Sequence, residues 1–314
     1  IRQQLIMIRS IIWIFNKLNN KPSLITIGAL FFLFIIYMGI SLYITSLSYK
    51  TIINLPDETP EKYGLNYDEI EFPSEGEDRL TLRGWWIPGQ SKNTIIYLHG
   101  IDGNRSSHLE ILSEFNKMGY SILTFDLRGH GLSDKSKVGL GVKEIPDVKG
   151  AINYLENIRD VKQVALYGVS YGATMAILVA KQDSRIKGIY IDSSYNMIVD
   201  LLTGEVPRRT PIPSFIASLL SRGIVLSSIM LEGINFDSIT PAEDIQSLSY
   251  PVLMVHCEDD DRIPIYHSDQ IHKNAPQDTL YHKFENCGGH ANSWKTHRQY
   301  YLGFAETYFN RVFN

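Results

Sequence analysis

Between Pro22 and Tyr49 the chain carries no charged residue, and the stretch from Leu24 to Ile44 is almost wholly apolar. A helix needs about 20 such residues to cross the hydrocarbon of a bilayer, so the pattern predicts one transmembrane helix over 22–49. A cleaved signal peptide has a shorter apolar stretch ending at a small-residue cleavage site, and no Ala-x-Ala-like site follows here. A buried core helix would show a polar face. A polar connector over 50–66 separates this run from the rest, where short apolar runs alternate with helical spacing. Tyr67–Phe72 and Leu80–Ile87 are strand-like and close together, an antiparallel start. Thr94–His99 is a continuous apolar run followed by glycine, as in a strand buried on both faces. Further strands are predicted at Ser121–Asp126, Gln163–Val169, Ile186–Ile191, Pro251–His256 and Thr279–Phe284. Helical spacing covers Ser107–Lys117, Val142–Ile158, Tyr171–Lys181 and Trp294–Phe309, with Val148, Ile152, Leu155 and Ile158 on one side of the second.

This alternation predicts an α/β domain over 67–314, a mostly parallel sheet with helices on both faces. Ligands of such sheets bind at the carboxyl ends of the strands. One stretch breaks the rhythm: 58 residues separate Asp192 from Pro251, with Pro207, Pro211, Pro213 and an apolar pattern through Phe215, Ile216, Leu219, Leu220, Ile224 and Val225. Connections longer than about 15 residues are usually functional, so a helical cap over the site is expected at about 195–248. The sequence contains no internal repeat and no low-complexity tract.

Composition narrows the partners. With 44% hydrophobic and 20% charged residues the 314-residue chain can bury a large core. A net charge of −4 gives no electrostatic case for a nucleic-acid partner. Arg2, Arg9, Lys17 and Lys21 precede the apolar run, whereas Lys50 is followed by Asp57, Glu58 and Glu61. The positive-inside rule then makes 1–21 a short basic cytoplasmic segment and puts the large domain outside the cytoplasm. The chain begins with Ile1, and Met7 is an alternative start.

The candidate chemistry starts at Gly168-Val-Ser-Tyr-Gly172. Gly-x-Ser-x-Gly alone is weak, expected by chance in on the order of a tenth of chains this long. At the end of a buried strand and the start of a helix it reads as an elbow that lifts the Ser170 hydroxyl above the sheet. A serine needs a base, usually a histidine oriented by a carboxylate. Val252–Pro264 places Glu258, Asp259, Asp260 and Asp261 just past a strand. Asp260 is the preferred acid, four residues before Pro264, though spacing does not separate it securely from Asp259 and Asp261; Asp192 is a more distant rival. The cluster lacks the alternating spacing of a calcium loop. Among histidines, His267 and His272 fall on a helix, His282 in a strand and His297 in the last helix, whereas His290 in Cys287-Gly-Gly-His290 sits on a loop free to reach back. Two backbone amides are needed for the oxyanion: that of Tyr171, and that of Ile101 in the glycine-rich Leu98–Arg105 loop, where His99 is expected to be structural. No cofactor or metal is called for.

With these residues the chain resembles the α/β-hydrolase superfamily, and in particular its membrane-anchored bacterial serine hydrolases of the serine aminopeptidase-like or esterase/lipase-like kind. The matching pieces are His99-Gly-Ile-Asp-Gly-Asn-Arg105, Asp126-Leu-Arg-Gly-His-Gly-Leu-Ser133, the elbow, the strand leading to Asp260 with Ile263-Pro264 after it, and Gly289-His290, in the family's order over about 67–310. The resemblance implies an eight-stranded α/β-hydrolase sheet and makes Arg128, Gly129, His130 and Gly131 a structural turn. Cys257 stands where the family commonly has glycine. Cys257 and Cys287 each lie three residues before a proposed triad member; a disulfide would tie the two loops in an oxidising compartment, and two buried thiols are the simpler reading.

The expected function is hydrolysis of a carboxylic ester, acyl or lipid-like, by a membrane-anchored enzyme. The same triad serves peptides, thioesters and amides, and a fold can persist without catalysis. Arg208 and Arg209 in the cap are either solvated or meet a substrate phosphate or carboxylate.

Overall fold

The computed structural model describes residues 21–314; Arg2, Arg9 and Lys17 lie outside the described residues. Helix α1 (Lys21–Ser48) carries the apolar run, and its side chains from Leu24 to Ile36 are exposed all round. Among the described residues it is the one helix long and apolar enough to cross a membrane.

Eight strands follow: β1 (Asp68–Pro73), β2 (Thr81–Ile87), β3 (Asn93–Leu98), β4 (Ser121–Phe125), β5 (Gln163–Val169), β6 (Ile186–Asp192), β7 (Leu253–Cys257) and β8 (Leu280–Phe284). They form one sheet in the order β1-β2-β4-β3-β5-β6-β7-β8. The β1–β2 and β2–β4 pairs are antiparallel, and every later pair is parallel. The central strands read as unbroken apolar runs because both faces are covered. On one face α3 (Ile145–Ile158) and α4 (Tyr171–Ala180) bury Val148, Ile152, Leu155 and the whole of α4. On the other, α2 (Leu109–Lys117) and α11 (Arg298–Phe313) bury Leu112, Phe115, Tyr301 and Phe309.

Three expectations need correction. Ile158, at the end of α3, is 65% exposed rather than part of the buried stripe, since the helix stops there before a second partner reaches it. The last predicted helix is two, α10 (Ser293–Thr296) and α11, broken at His297 (ψ 36°). Cys257 and Cys287 are joined as a disulfide, so the reading as two separate thiols is overturned: the loop after β8 folds back onto the end of β7 and brings their Cα atoms to 6.0 Å.

The segment between β6 and β7 forms α5 (Ile198–Arg209), α6 (Ser214–Leu219), α7 (Ser221–Glu232) and the short α8 (Pro241–Asp244), and α9 (Tyr266–Lys273) follows β7. Helix α5 runs through Pro207 to Arg209. The last turns of α1 lie against α7. Tyr37 Oη accepts from the Gly223 amide (2.7 Å), Thr45 Oγ1 donates to the Ile224 carbonyl (3.4 Å), and Tyr49 Oη donates to Ser228 Oγ (2.6 Å), which itself donates to the Ile234 carbonyl (2.6 Å). A Cβ at Gly223 would stand 2.2 Å from Ser41 Oγ, so glycine is what lets the helices touch.

Candidate active site

The elbow is built from close approaches that only glycine permits. A Cβ on Gly172 would lie 2.0 Å from the Leu98 carbonyl oxygen, and one on Gly168 2.3 Å from that of Gly172. The start of α4 is thereby pressed against the end of β3. Ser170 sits between them at φ 56°, ψ −114°, a backbone conformation that non-glycine residues rarely adopt. The adjoining chain holds it there: its amide donates to the Asp192 carbonyl (2.8 Å).

Three side chains from three strand ends converge. Ser170 Oγ donates to His290 Nε2 (2.8 Å), and His290 Nδ1 donates to Asp260 Oδ2 (2.7 Å). Asp260 follows β7, and its Oδ1 accepts from the amides of Arg262 (3.0 Å) and Ile263 (2.9 Å). His256 Nε2 lies 3.3 Å from Oδ2 and donates to the Ile263 carbonyl (2.8 Å). Burial would raise the Asp260 pKa, but hydrogen bonds from His256, His290 and the Ile263 amide outweigh it and hold the carboxyl well below the ordinary range. It stays a carboxylate.

His290 is fixed by its loop. The Cys257–Cys287 bond and the Asp259 carboxylate, which accepts from the amides of Cys287 (3.0 Å) and Gly288 (2.8 Å), clamp that loop to the acid loop. Those two amides also hold the Asp259 pKa down. Asp259 therefore positions the loop without touching His290. Asp261 is exposed and paired with Arg208 (3.6 Å) on α5, so Arg208 meets a protein carboxylate; the Arg209 side chain lies outside the described residues. Asp192 is fully buried and accepts from Ser193 Oγ (2.9 Å), Tyr301 Oη (2.9 Å) and Ser293 Oγ (3.1 Å). Burial raises its pKa. It pins the chain just after His290 over the end of β6, which turns the loop back toward Ser170.

The loop after β3 approaches the serine from the other side: a Cβ on Gly100 would be 3.7 Å from Ser170 Cβ. The Leu127 amide donates to His99 Nε2 (3.1 Å), so Nδ1 carries the proton and donates to the Gly100 carbonyl (2.7 Å), which the Gly103 amide also reaches (2.9 Å). Burial, reinforced by nearby His130, keeps His99 neutral. In a trans peptide the C=O and the following N–H point in opposite directions. Two donors on the Gly100 oxygen thus orient the Ile101 amide, and His130 Nε2 reaches the Ile101 carbonyl (2.7 Å). His99, expected from its place before Gly100 to hold this loop structurally, does so through the Gly100 carbonyl. Arg128 is buried against Asp147 (2.7 and 2.9 Å), and a Cβ on Gly131 would be 2.3 Å from the Asp126 carboxylate, so the 128–131 turn is scaffolding. His267 and His282 have pKa values lowered by burial and do not contact the triad; His297 hydrogen-bonds the Glu285 carbonyl.

A cavity of about 390 Å³, at the small end of ligand sites, reaches Ser170 and Tyr171. Its walls are mainly apolar: Ile44 and Leu47 of α1, Leu201, Leu202 and Val206 of α5, with Ile101 and Leu140. Glu205 and Arg262, an ion pair (3.1 Å), supply polar groups at its edge. The Ser170–His290–Asp260 array, the oriented Gly100–Ile101 peptide and an apolar cavity can hold a carbonyl compound against an activated hydroxyl. The disulfide sulfurs and Asp259 lie close together, but both thiols are consumed by the bond and offer no thiolate to a metal.

A family model described as the alpha/beta hydrolase fold matches residues 93–211. The chain is 27% identical over 221 residues to the protein YfhR of Escherichia coli O157:H7, covering 67% of this chain and 69% of that one. It is 25% identical over 295 residues to YqkD of Bacillus subtilis, covering 90% and 94%. The Pyrococcus furiosus esterase Pf2001 superposes with a TM-score of 0.69 at 22% identity, over 85% of this chain and all of that one.

Proposed function

We propose that the chain, which has the α/β-hydrolase fold, is a membrane-anchored serine hydrolase that cleaves a carboxylic ester. The observation that carries this reading is the unbroken hydrogen-bonded chain from Ser170 through His290 to Asp260. As Ser170 Oγ attacks the ester carbonyl, its proton passes to His290 Nε2. The Asp260 carboxylate holds the imidazole by its Nδ1–H and stabilises the imidazolium that forms. The amides of Tyr171 and Ile101 receive the developing oxyanion, a contribution commonly of about 10²–10³ in kcat for each donor. Collapse of the tetrahedral adduct breaks the ester C–O bond, and His290 gives its proton to the departing alcohol. Water, deprotonated by His290, then attacks the acyl-enzyme, and the proton returns to Ser170 as the acid leaves.

The apolar walls around Ser170 favour an acyl ester over a charged peptide. The length and apolarity of α1 support an anchor. Basic residues ahead of it and the Cys257–Cys287 disulfide together support a cytoplasmic N-terminus with the hydrolase on the oxidising side. A fluorophosphonate probe tests the core of the reading: it should label wild-type protein at Ser170 and not Ser170→Ala. Equal labelling of both, or of neither in folded protein, refutes it. Comparing p-nitrophenyl esters with aminoacyl-p-nitroanilides tests the ester preference, a higher kcat/KM on the anilides refuting it.

A further inference from the structure

The end of the anchor helix is part of the wall of the site. Tyr37, Ser41, Thr45 and Tyr49 lie along α7, and Ile44 and Leu47 face the cavity above Ser170. This contact sets the height of the cap relative to a bilayer. The apolar stretch Leu24–Ser48 has 25 residues, of which about 20 fill a hydrocarbon slab of about 30 Å. The edge of the slab nearest the catalytic domain therefore falls between Tyr43 and Ser48. At about 1.5 Å per residue, Tyr37 lies about 9 to 16 Å inside that edge and Ser41 about 3 to 10 Å. Gly223, at the start of α7, is hydrogen-bonded to Tyr37, so the α6–α7 end of the cap lies at the same depth.

The cap has the surface such a position requires. From Pro211 to Leu231 the one charged residue is Arg222, which is paired with Asp237 (3.4 Å). Phe215 (66%), Leu219 (68%) and Met230 (63%) are exposed, although a cap helix serving only the core would turn them inward. An exposed apolar face continuous with a membrane-spanning helix fits lipid.

We propose that the α6–α7 face is embedded in the leaflet nearest the catalytic domain, and that the cavity takes a long-chain acyl ester directly from that leaflet along the wall formed by α1 and α5. The substrate-class part rests on the serine-hydrolase reading above; the embedding part does not. The acyl chain lies against Ile44, Leu47, Leu201, Leu202 and Val206, with its ester carbonyl at Ser170.

The experiment uses the full chain in phosphatidylcholine–phosphatidylglycerol vesicles. Phe215→Cys, labelled with an environment-sensitive fluorophore while the native disulfide stays intact, should be quenched at least two-fold by lipids carrying a nitroxide near the top of the acyl chain. The same label at Glu306→Cys, on the exposed side of α11, should not. An unquenched label at 215, including one shielded by a second copy of the chain, overturns the embedding. Leu219→Glu/Met230→Glu should lower hydrolysis of vesicle-borne 4-methylumbelliferyl palmitate at least tenfold, while hydrolysis of soluble p-nitrophenyl butyrate and fluorophosphonate labelling stay within two-fold. If the double variant misfolds, as lost labelling would show, Leu219→Asn replaces it. An unchanged palmitate rate overturns the leaflet route. Failure of the wild type to be labelled or to cleave either ester refutes the hydrolase reading, and the quenching result still decides the embedding.

Discussion

Reducing the Cys257–Cys287 bond isolates what holds the histidine loop. The bond closes a loop of 30 residues between the acid-bearing strand end and the His290 loop. In the chain-entropy description, releasing such a loop in the unfolded state costs about 3.6 kcal/mol at 25 °C. With a urea m-value of about 3 kcal/mol/M for a domain this large, the unfolding midpoint should fall by about 1.2 M. Activity should respond less. The two amide hydrogen bonds from Cys287 and Gly288 to Asp259 survive reduction and keep His290 near Asp260, so kcat should stay within about threefold below the unfolding transition. The assay is urea unfolding of the full chain in detergent micelles by tryptophan fluorescence, with and without a phosphine reductant. Cys257→Ala/Cys287→Ala serves as the reductant-insensitive control. A midpoint unmoved by reduction, with two thiols newly titratable, would refute the crosslink account. Two free thiols in unfolded, never-reduced protein would remove the bond altogether.

His99→Phe should lower kcat about ten- to a hundredfold with KM within twofold, because the peptide bearing the Ile101 amide loses one of the two donors that orient it and keeps only the Gly103 amide; His99→Asn, which keeps a donor near Nδ1, should recover most of the loss, and a pure KM effect would contradict the positioning role. Gly172→Ala should destabilise the fold by more than about 3 kcal/mol, since its Cβ meets the Leu98 carbonyl at 2.0 Å; soluble protein with unchanged thermal stability would count against the elbow packing. Burial first, then Lys295 and His290, push the His108 pKa down to about 4. The unfolded chain takes up this proton near pH 6.5 and the folded chain does not, so this contribution is present above 6.5 and about 3 kcal/mol of it is lost as pH falls to about 4. His108→Asn should flatten the stability profile in that window, which urea titrations at pH 7, 5.5 and 4.5 would detect; parallel profiles for the two proteins would rule it out.

The strands were readable wherever both faces are covered, because burial on both sides forbids polar alternation: Asn93–Leu98 and Gln163–Val169 lie within a residue of the predicted runs. The elbow was readable because Gly-x-Ser-x-Gly falls where a buried apolar run gives way to helical spacing, and Gly168 is demanded by the nearby Gly172 carbonyl; the approach of Gly172 to Leu98 shows only in the fold. What escaped depends on contacts between distant segments. Asp259, Asp260 and Asp261 are equivalent in sequence; only the folded loop gives one to His290, one to two amides and one to Arg208. Cys257 and Cys287 were candidate partners in the sequence, but only the turn of the β8 loop back onto the end of β7 chooses the disulfide over two thiols. Residues 24–48 look lipid-exposed throughout, and the small residues Ser41 and Thr45 acquire meaning only when Gly223 arrives from nearly two hundred residues away. Phe215 and Leu219 follow the spacing of core positions yet face outward.

The joint between α1 and α7 makes removal of α1 more than the loss of a terminal helix. Ile44 and Tyr49 belong to the main core, and Ile52 bridges to His130 beside the serine loop. A truncation at residue 50 would strip the Gly223, Ile224 and Ser228 surface and open one side of the catalytic cavity to water. Proteolysis within 50–66 would leave the severed helix still docked on α7 through Tyr37, Ser41 and Thr45, so cutting the connector and deleting the helix are different perturbations.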